Sequence, residues 1–206
     1  MHKLNGLYLV TPDWDDTEQL IMVTEQALLG GAALVQYRHK LADPALRVEQ
    51  ASALLALCRR FNRPFIVNDH VSLCVQLDAD GVHVGGTDVS VAAARQALGA
   101  DKIVGASCYG DLPLAHAANL AGASYVAFGG FYPSRVKKYP VTTPVTIVSN
   151  ACATIALPNV VIGGMTTDNC RPLIAAGAHM VAAISSVYLA EDPQAAAREF
   201  AGAFSL

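Results

Sequence analysis

The sequence predicts an α/β fold, a closed (β/α)8 barrel forming one domain over residues 1–206. Three observations predict it: eight short runs rich in Val, Ile and aromatics recur along the chain, stretches of helical period separate them, and residues able to bind charge fall just beyond the run ends. Short continuous apolar runs mark strands buried on both faces of a parallel sheet. Parallel strands need crossovers, so a repeated β-then-α order leaves an open doubly wound sheet or a closed barrel. Eight units favour the barrel, since 206 residues give each unit about 26, near the lower limit for this architecture. No linker, low-complexity tract or composition shift divides the chain, which is long enough for a substantial core.

The elements follow in order. A first strand is expected over 7–10 and a second over 34–37. A helix is expected over 45–61, where Leu46, Ala53, Leu54, Leu57 and Phe61 fall mostly on one stripe. Strands over 65–67 and 82–84 run out into Asn68-Asp69 and into Gly85-Gly86-Thr87-Asp88. The fifth, over 103–106, is followed by Ser107; the sixth, over 125–128, by the chain's longest irregular segment. The seventh, over 160–162, meets Gly163-Gly164, and the eighth, over 180–184, meets Ser185.

Composition excludes several functions. Fourteen basic against seventeen acidic residues give a formal charge of -3 with no basic stripe, which argues against nucleic acid as a main partner. Asn5 and Gly6 interrupt any apolar leader and Pro12 and Asp13 close it early, so export is not expected and the cytoplasm is. The uncharged stretch 173–190 is split by Gly177 and His179 and reads as helix then strand, so no membrane partner is expected. Cys58, Cys74, Cys108, Cys152 and Cys170 form an odd set without C-x-x-C spacing, as reduced thiols do. Cys108 follows a strand, where a nucleophile can sit, but no neighbouring His or base is present to lower its pKa. A homo-oligomer is compatible with the sequence, which carries no signal for its state.

The strand-end residues carry the chemistry. Alternation places Gln36, Arg38 and Lys40 on one side, and two cations with an amide donor suit a multidentate anion such as a diphosphate; the alternative is a solvated loop. Asp69 and Asp88 end adjacent strands, and two carboxylates beside phosphate-binding cations match the way Mg²⁺ is held. Each could instead cap the helix that follows, Asp88 one starting near Val89. Gly129, Gly130, Ser134, Arg135, Lys137 and Lys138 read as a mobile active-site loop. Gly163-Gly164 and Ile184-Ser185 follow strands seven and eight, whose loops bind phosphate through backbone N–H groups in many barrels; taken alone, such a glycine pair means only close helix packing. His39, His70 and His83 have no metal-like spacing, and His83 reads as a hydrogen-bonded core residue.

Gln36, Tyr37, Arg38, His39 and Lys40, with Asn68-Asp69, Asp88, Gly105-Ala106-Ser107, Pro133-Ser134, Lys137, Gly163-Gly164 and Ile184-Ser185, resemble the thiamine phosphate synthase family in order and spacing over almost the whole chain. The resemblance implies a TIM barrel that joins 4-amino-5-hydroxymethyl-2-methylpyrimidine diphosphate to thiazole phosphate. It implies that residues 36–40, Asn68, Ser107 and Lys137 hold the pyrimidine diphosphate, and that Asp69 and Asp88 hold Mg²⁺. Ser134, Arg135, Val136, Gly164, Ile184 and Ser185 would hold the thiazole phosphate, with Arg38, Lys40, Ser107 and Lys137 as the catalytic set. Two positions depart from the family pattern: Val136 stands where a threonine is common and Gly86 where a glutamine is frequent. A lost hydroxyl contact costs about 0.5 to 1.5 kcal/mol, which weakens a site without abolishing it. Two other readings are a thiazole tautomerase, which needs an acid/base residue and has no use for the Asp69, Asp88, Arg38 and Lys40 set, and a non-catalytic barrel that binds thiazole phosphate.

Overall fold

The computed structural model describes residues 4–86, 88–133 and 143–205. Its order is β1 (Gly6–Val10), α1 (Thr17–Leu29), β2 (Leu34–Tyr37), α2 (Pro44–Arg60), β3 (Phe65–Asn68), α3 (Val71–Leu77), β4 (Gly81–Val84) and α4 (Val91–Leu98). It continues with β5 (Ile103–Tyr109), α5 (Leu112–Leu120), β6 (Tyr125–Gly129), α6 (Thr146–Thr154), β7 (Asn159–Ile162), α7 (Arg171–Ala175), β8 (Met180–Ala183), α8 (Ser185–Tyr188) and α9 (Pro193–Gly202). The strands pair in chain order, all parallel, and β8 returns to β1, closing the expected barrel.

Alternation along each strand builds two cores. Leu7, Leu9, Val35, Val67, Val82, Val104 and Val181 point outward into the helical layer. Tyr8, Leu34, Ile66, Tyr125, Val160 and Met180 point inward and fill the barrel, as side chains of alternate strands do in this architecture. Gly105 shows how tightly the interior is shared: a Cβ there would lie 2.0 Å from the Tyr125 ring, so the small residue on β5 makes room for the large one on β6.

The helices begin where side chains satisfy their first N–H groups. Asp16, Asp43, Ser90, Asp111 and Asp192 cap α1, α2, α4, α5 and α9, each cap contributing about 1 kcal/mol. Two expectations are corrected. The buried face of α2 centres on Gln50, Ala51, Leu54, Leu55, Leu57 and Cys58, whereas Leu46, Ala53 and Phe61 are only half-buried. The helix after β4 starts at Val91 with Ser90 as its cap, which frees Asp88 from that duty. Among the described residues, no helix is long and apolar enough to cross a membrane.

Candidate active site

The carboxyl ends of the strands open into one cavity of about 540 Å³ to which all eight strands contribute. Gln36, Arg38, Asn68, Ser107, Gly164, Ile184 and Ser185 line it as the strand-end pattern predicts.

The β2 side is built by residues the sequence reading passed over. The fully buried Thr11 hydroxyl donates to the Arg38 carbonyl (3.0 Å) and accepts the Arg38 N–H (2.8 Å), fixing the backbone where the strand ends. Asp13 pairs with the Arg38 guanidinium at 3.3 Å and accepts the Lys40 N–H at 2.9 Å. Two of the five residues in this segment turn away. The Tyr37 hydroxyl donates to Gln50 on α2 within the helical layer, and burial pushes its pKa up to about 12. The buried His39 ring accepts the Ala42 N–H at Nδ1, which leaves Nε2 to donate to Asp15 at 3.0 Å. Neither of these side chains faces the cavity, because alternation puts residues 37 and 39 on the opposite side from Gln36 and Arg38.

Asp69 and Asp88 come together at the rim. Neither caps a helix: α3 is preceded by His70 without a side-chain cap, and the Asp88 carboxylate accepts the Gly85 N–H at 2.9 Å. Asp69 has φ +63°, and the His70 N–H bonds the Asn68 carbonyl across it at 2.7 Å. That backbone region is sparsely used by residues with a Cβ, and such strain concentrates at functional sites. Burial, then the hydrogen bond with and charge of Asp88, raise the Asp69 carboxyl to about 6, against the pull of Lys40 and Arg38. Those causes place the Asp88 carboxylate and both cations within electrostatic reach of Asp69. A crowded carboxylate pair, one member of which resists ionisation, is a donor set that a divalent cation relieves, so the residues fit Mg²⁺. Among the described residues no three His, Cys, Asp or Glu side chains cluster as ligands.

At the floor of the cavity His83 is buried and hydrogen-bonded, as the sequence predicts, and it also borders the cavity. Its Nε2 lies 2.8 Å from the Ser107 hydroxyl and its Nδ1 lies 2.9 Å from the Tyr125 hydroxyl. Tyr125 meets the Tyr8 hydroxyl at 2.6 Å, and Tyr8 accepts from the Gln36 amide at 2.8 Å. Burial raises the pKa of both tyrosines, which therefore stay protonated. Gln36 and Ser107 are thus the two ends of one hydrogen-bonded chain laid across the barrel, with His83 lining the cavity between them.

On the far side, Gly163 and Gly164 have φ +116° and +63°. A Cβ on Gly164 would lie 2.3 Å from the Pro133 carbonyl oxygen, so close approach to the β6 loop demands glycine here and the backbone is left facing the cavity. Ser134, Arg135, Val136 and Lys137 lie outside the described residues. Cys108 is not a site residue: it is fully buried in the helical layer, and burial pushes its thiol up to about 12.

Fold and site together define a closed (β/α)8 barrel with one cavity at the carboxyl ends of its strands. Residues 7–187 match the family described as thiamine monophosphate synthase, and the chain belongs to that family. It is 68% identical over 203 residues to a thiamine-phosphate synthase of Janthinobacterium sp. (strain Marseille), covering 98% of each chain. It is 45% identical to one of Nitrosomonas eutropha, covering 98% of this chain and 95% of the relative. A solved thiamine phosphate pyrophosphorylase from Pyrococcus furiosus superposes with a TM-score of 0.85 at 29% identity, over 99% of this chain and 97% of the other.

Proposed function

We propose that this protein is a Mg²⁺-dependent thiamine phosphate synthase, a cytoplasmic transferase of thiamine biosynthesis. It joins 4-amino-5-hydroxymethyl-2-methylpyrimidine diphosphate to 4-methyl-5-(2-phosphoethyl)thiazole, or to its carboxylated precursor with loss of carbon dioxide. The observation that carries this reading is the meeting of Asp69, Asp88, Arg38 and Lys40 beside a cavity walled by Gly163, Gly164, Ile184 and Ser185. One edge suits a diphosphate and the other a second phosphate.

In this reaction the bond between the pyrimidine methylene carbon and the diphosphate oxygen breaks, and its electron pair leaves with pyrophosphate. The electron-rich aminopyrimidine supports the resulting cation until the thiazole nitrogen lone pair closes the new C–N bond. Negative charge grows on the departing diphosphate, and Arg38 and Lys40 stabilise it electrostatically, joined by Lys137 on the family resemblance. Bound Mg²⁺ would neutralise that same charge as a Lewis acid held by Asp69 and Asp88. Gln36, Asn68 and Ser107, which line the cavity, orient the pyrimidine. No strong general base is required, and the nitrogens of His83 already face Tyr125 and Ser107. A tautomerase or a non-catalytic thiazole-phosphate binder leaves the carboxylate and cation cluster without a use.

The deciding experiment incubates the purified protein with both substrates and Mg²⁺ and measures thiamine phosphate and pyrophosphate. Product from the wild type and none from an Asp69→Ala, Asp88→Ala double variant is the expected result. Folded wild type that binds thiazole phosphate yet forms no product would overturn the reading in favour of the tautomerase or the binder.

A further inference from the structure

Tyr109 ends β5 at the mouth of the cavity, and neither the strand-end pattern nor the resemblance gives it a role. Three observations set it apart. Its φ is +52°, a conformation that bulky residues rarely adopt without a compensating constraint. The β5–β6 register shifts between Ser107 and Tyr109, and a bulge of this kind re-aims the side chain it carries. The phenol is half exposed, at 49%, so burial of its ring is not what holds it there. The contact it does make is with the turn after β4: its hydroxyl accepts the Gly86 N–H at 3.2 Å.

That turn carries Asp88. The Gly85 N–H donates to the Asp88 carboxylate at 2.9 Å, and the Asp88 N–H donates to the Gly85 carbonyl at 3.2 Å. Both bonds are internal to the turn and do nothing to orient it against the barrel. Among the described residues, the hydrogen bond that ties the turn to β5 is the one from Gly86 to Tyr109. Residue 86 packs directly against the ring, since a Cβ on Gly86 would meet the Tyr109 hydroxyl at 3.4 Å and Cε2 at 3.5 Å, in ordinary contact. Any longer side chain directed along that bond would displace the phenol.

We propose that Tyr109 is a positioning residue for Asp88, its phenol pinning the 85–88 turn so that the carboxylate stays against Asp69. The inference rests on the reading of Asp69 and Asp88 as the Mg²⁺ ligands. It assigns the strained backbone at Tyr109 a purpose.

The test is Tyr109→Phe, which keeps the ring and removes the acceptor, with Asp88→Ala as reference. Amide hydrogen exchange of the metal-free protein reads the turn directly, and Mn²⁺ binding in the presence of inorganic pyrophosphate, followed by electron paramagnetic resonance, reads the carboxylate pair. The phenylalanine variant is expected to exchange faster over residues 84–91 and to bind Mn²⁺ several-fold more weakly, at most about tenfold for one lost hydrogen bond. Turnover lost by the variant at low Mg²⁺ should be largely recovered as Mg²⁺ is raised to saturation. Unchanged Mn²⁺ affinity overturns the proposal, whatever the exchange rates. So does a rise in KM for the pyrimidine diphosphate alone, which would make Tyr109 a substrate contact. If Asp88→Ala itself binds Mn²⁺ like the wild type, the metal assignment has failed and this inference falls with it, a result separable from the others because it appears in the reference variant.

Discussion

The His83 imidazole and the Ser107 hydroxyl stand 2.8 Å apart across the step from β4 to β5, and the same ring holds Tyr125 through its other nitrogen. His83 thereby fixes the direction in which a cavity hydroxyl presents itself, without needing to touch substrate. His83→Ala removes both bonds and strips a partner from a buried tyrosine hydroxyl. The expected cost is about 1 to 3 kcal/mol of stability, read by urea unfolding. KM for the pyrimidine diphosphate should rise more than tenfold while KM for the thiazole phosphate, whose proposed site is the far wall, changes little. An equal rise in both would show that the network supports the barrel as a whole and has no special bearing on Ser107.

A pH dependence follows from Asp69. Its carboxyl titrates at about 6 in the folded chain against an ordinary value of 3.8, so between those values the folded state binds more protons than the unfolded one. The stabilisation from this excess is complete below the ordinary value and is lost as pH rises through about 6. Asp69→Asn abolishes the titration. Without metal, its unfolding temperature should therefore gain on that of the wild type between about pH 4 and pH 6 and hold a constant lead above. Saturating Mg²⁺ with pyrophosphate at neutral pH should erase that lead, because only the wild type retains the carboxylate pair. Parallel unfolding curves across this range would contradict the crowding of the two carboxylates.

The cysteines separate by burial. Cys58, Cys74, Cys108 and Cys170 are buried, while Cys152 is exposed beside the start of β7, at the end of the barrel away from the cavity. Burial holds the Cys58 and Cys108 thiols up at about 12. Only the thiolate attacks an alkylating reagent, so iodoacetamide should label native protein once, at Cys152, with activity retained. Loss of activity on a single label elsewhere would give one of the buried thiols an access route that its burial denies.

Every strand was legible because strands covered on both faces need apolar residues at nearly every position, and such runs stand out from their polar flanks. β5 was read short, to residue 106, because Ser107 breaks the apolar run; the strand continues to Tyr109, with Ser107 and Tyr109 lining the cavity and Cys108 facing the helices. That the buried, hydrogen-bonded His83 also borders the cavity is hidden from the sequence for a related reason. In a four-residue strand such as β4 the periodicity shows that alternate residues share a face, but only pairing with Asn68 on β3 reveals which face opens into the cavity. Asp13 is legible in principle, since it follows β1 as Arg38 follows β2, but a lone acidic residue after proline has no local partner and in the sequence serves only to end an apolar leader. Its partners, the Arg38 side chain and the Lys40 N–H, are brought to it only by closure of the barrel. Asp88 showed the converse, a residue with good cap chemistry whose helix begins further on.

The sharpest steric prediction concerns Gly164. Its φ of +63° already costs a residue with a Cβ about 1 to 2 kcal/mol, and the added methyl of Gly164→Ala would lie 2.3 Å from the Pro133 carbonyl oxygen. Backbone cannot yield as a flexible side chain does, so the β6 loop must move outward from β7. The Tyr132 N–H bond to the Gly163 carbonyl and the Asn169 bond to the Gly164 carbonyl are strained in the same displacement. KM for thiazole phosphate should rise at least about tenfold, the equivalent of roughly 1.4 kcal/mol of binding, with a lowered unfolding temperature. Gly202→Ala, whose methyl meets nothing within 4 Å, is the control and should leave both kinetic constants unchanged. If Gly164→Ala retained wild-type KM, the β7 loop would not be the part of the cavity that holds the second phosphate, and that role would pass to Ile184 and Ser185.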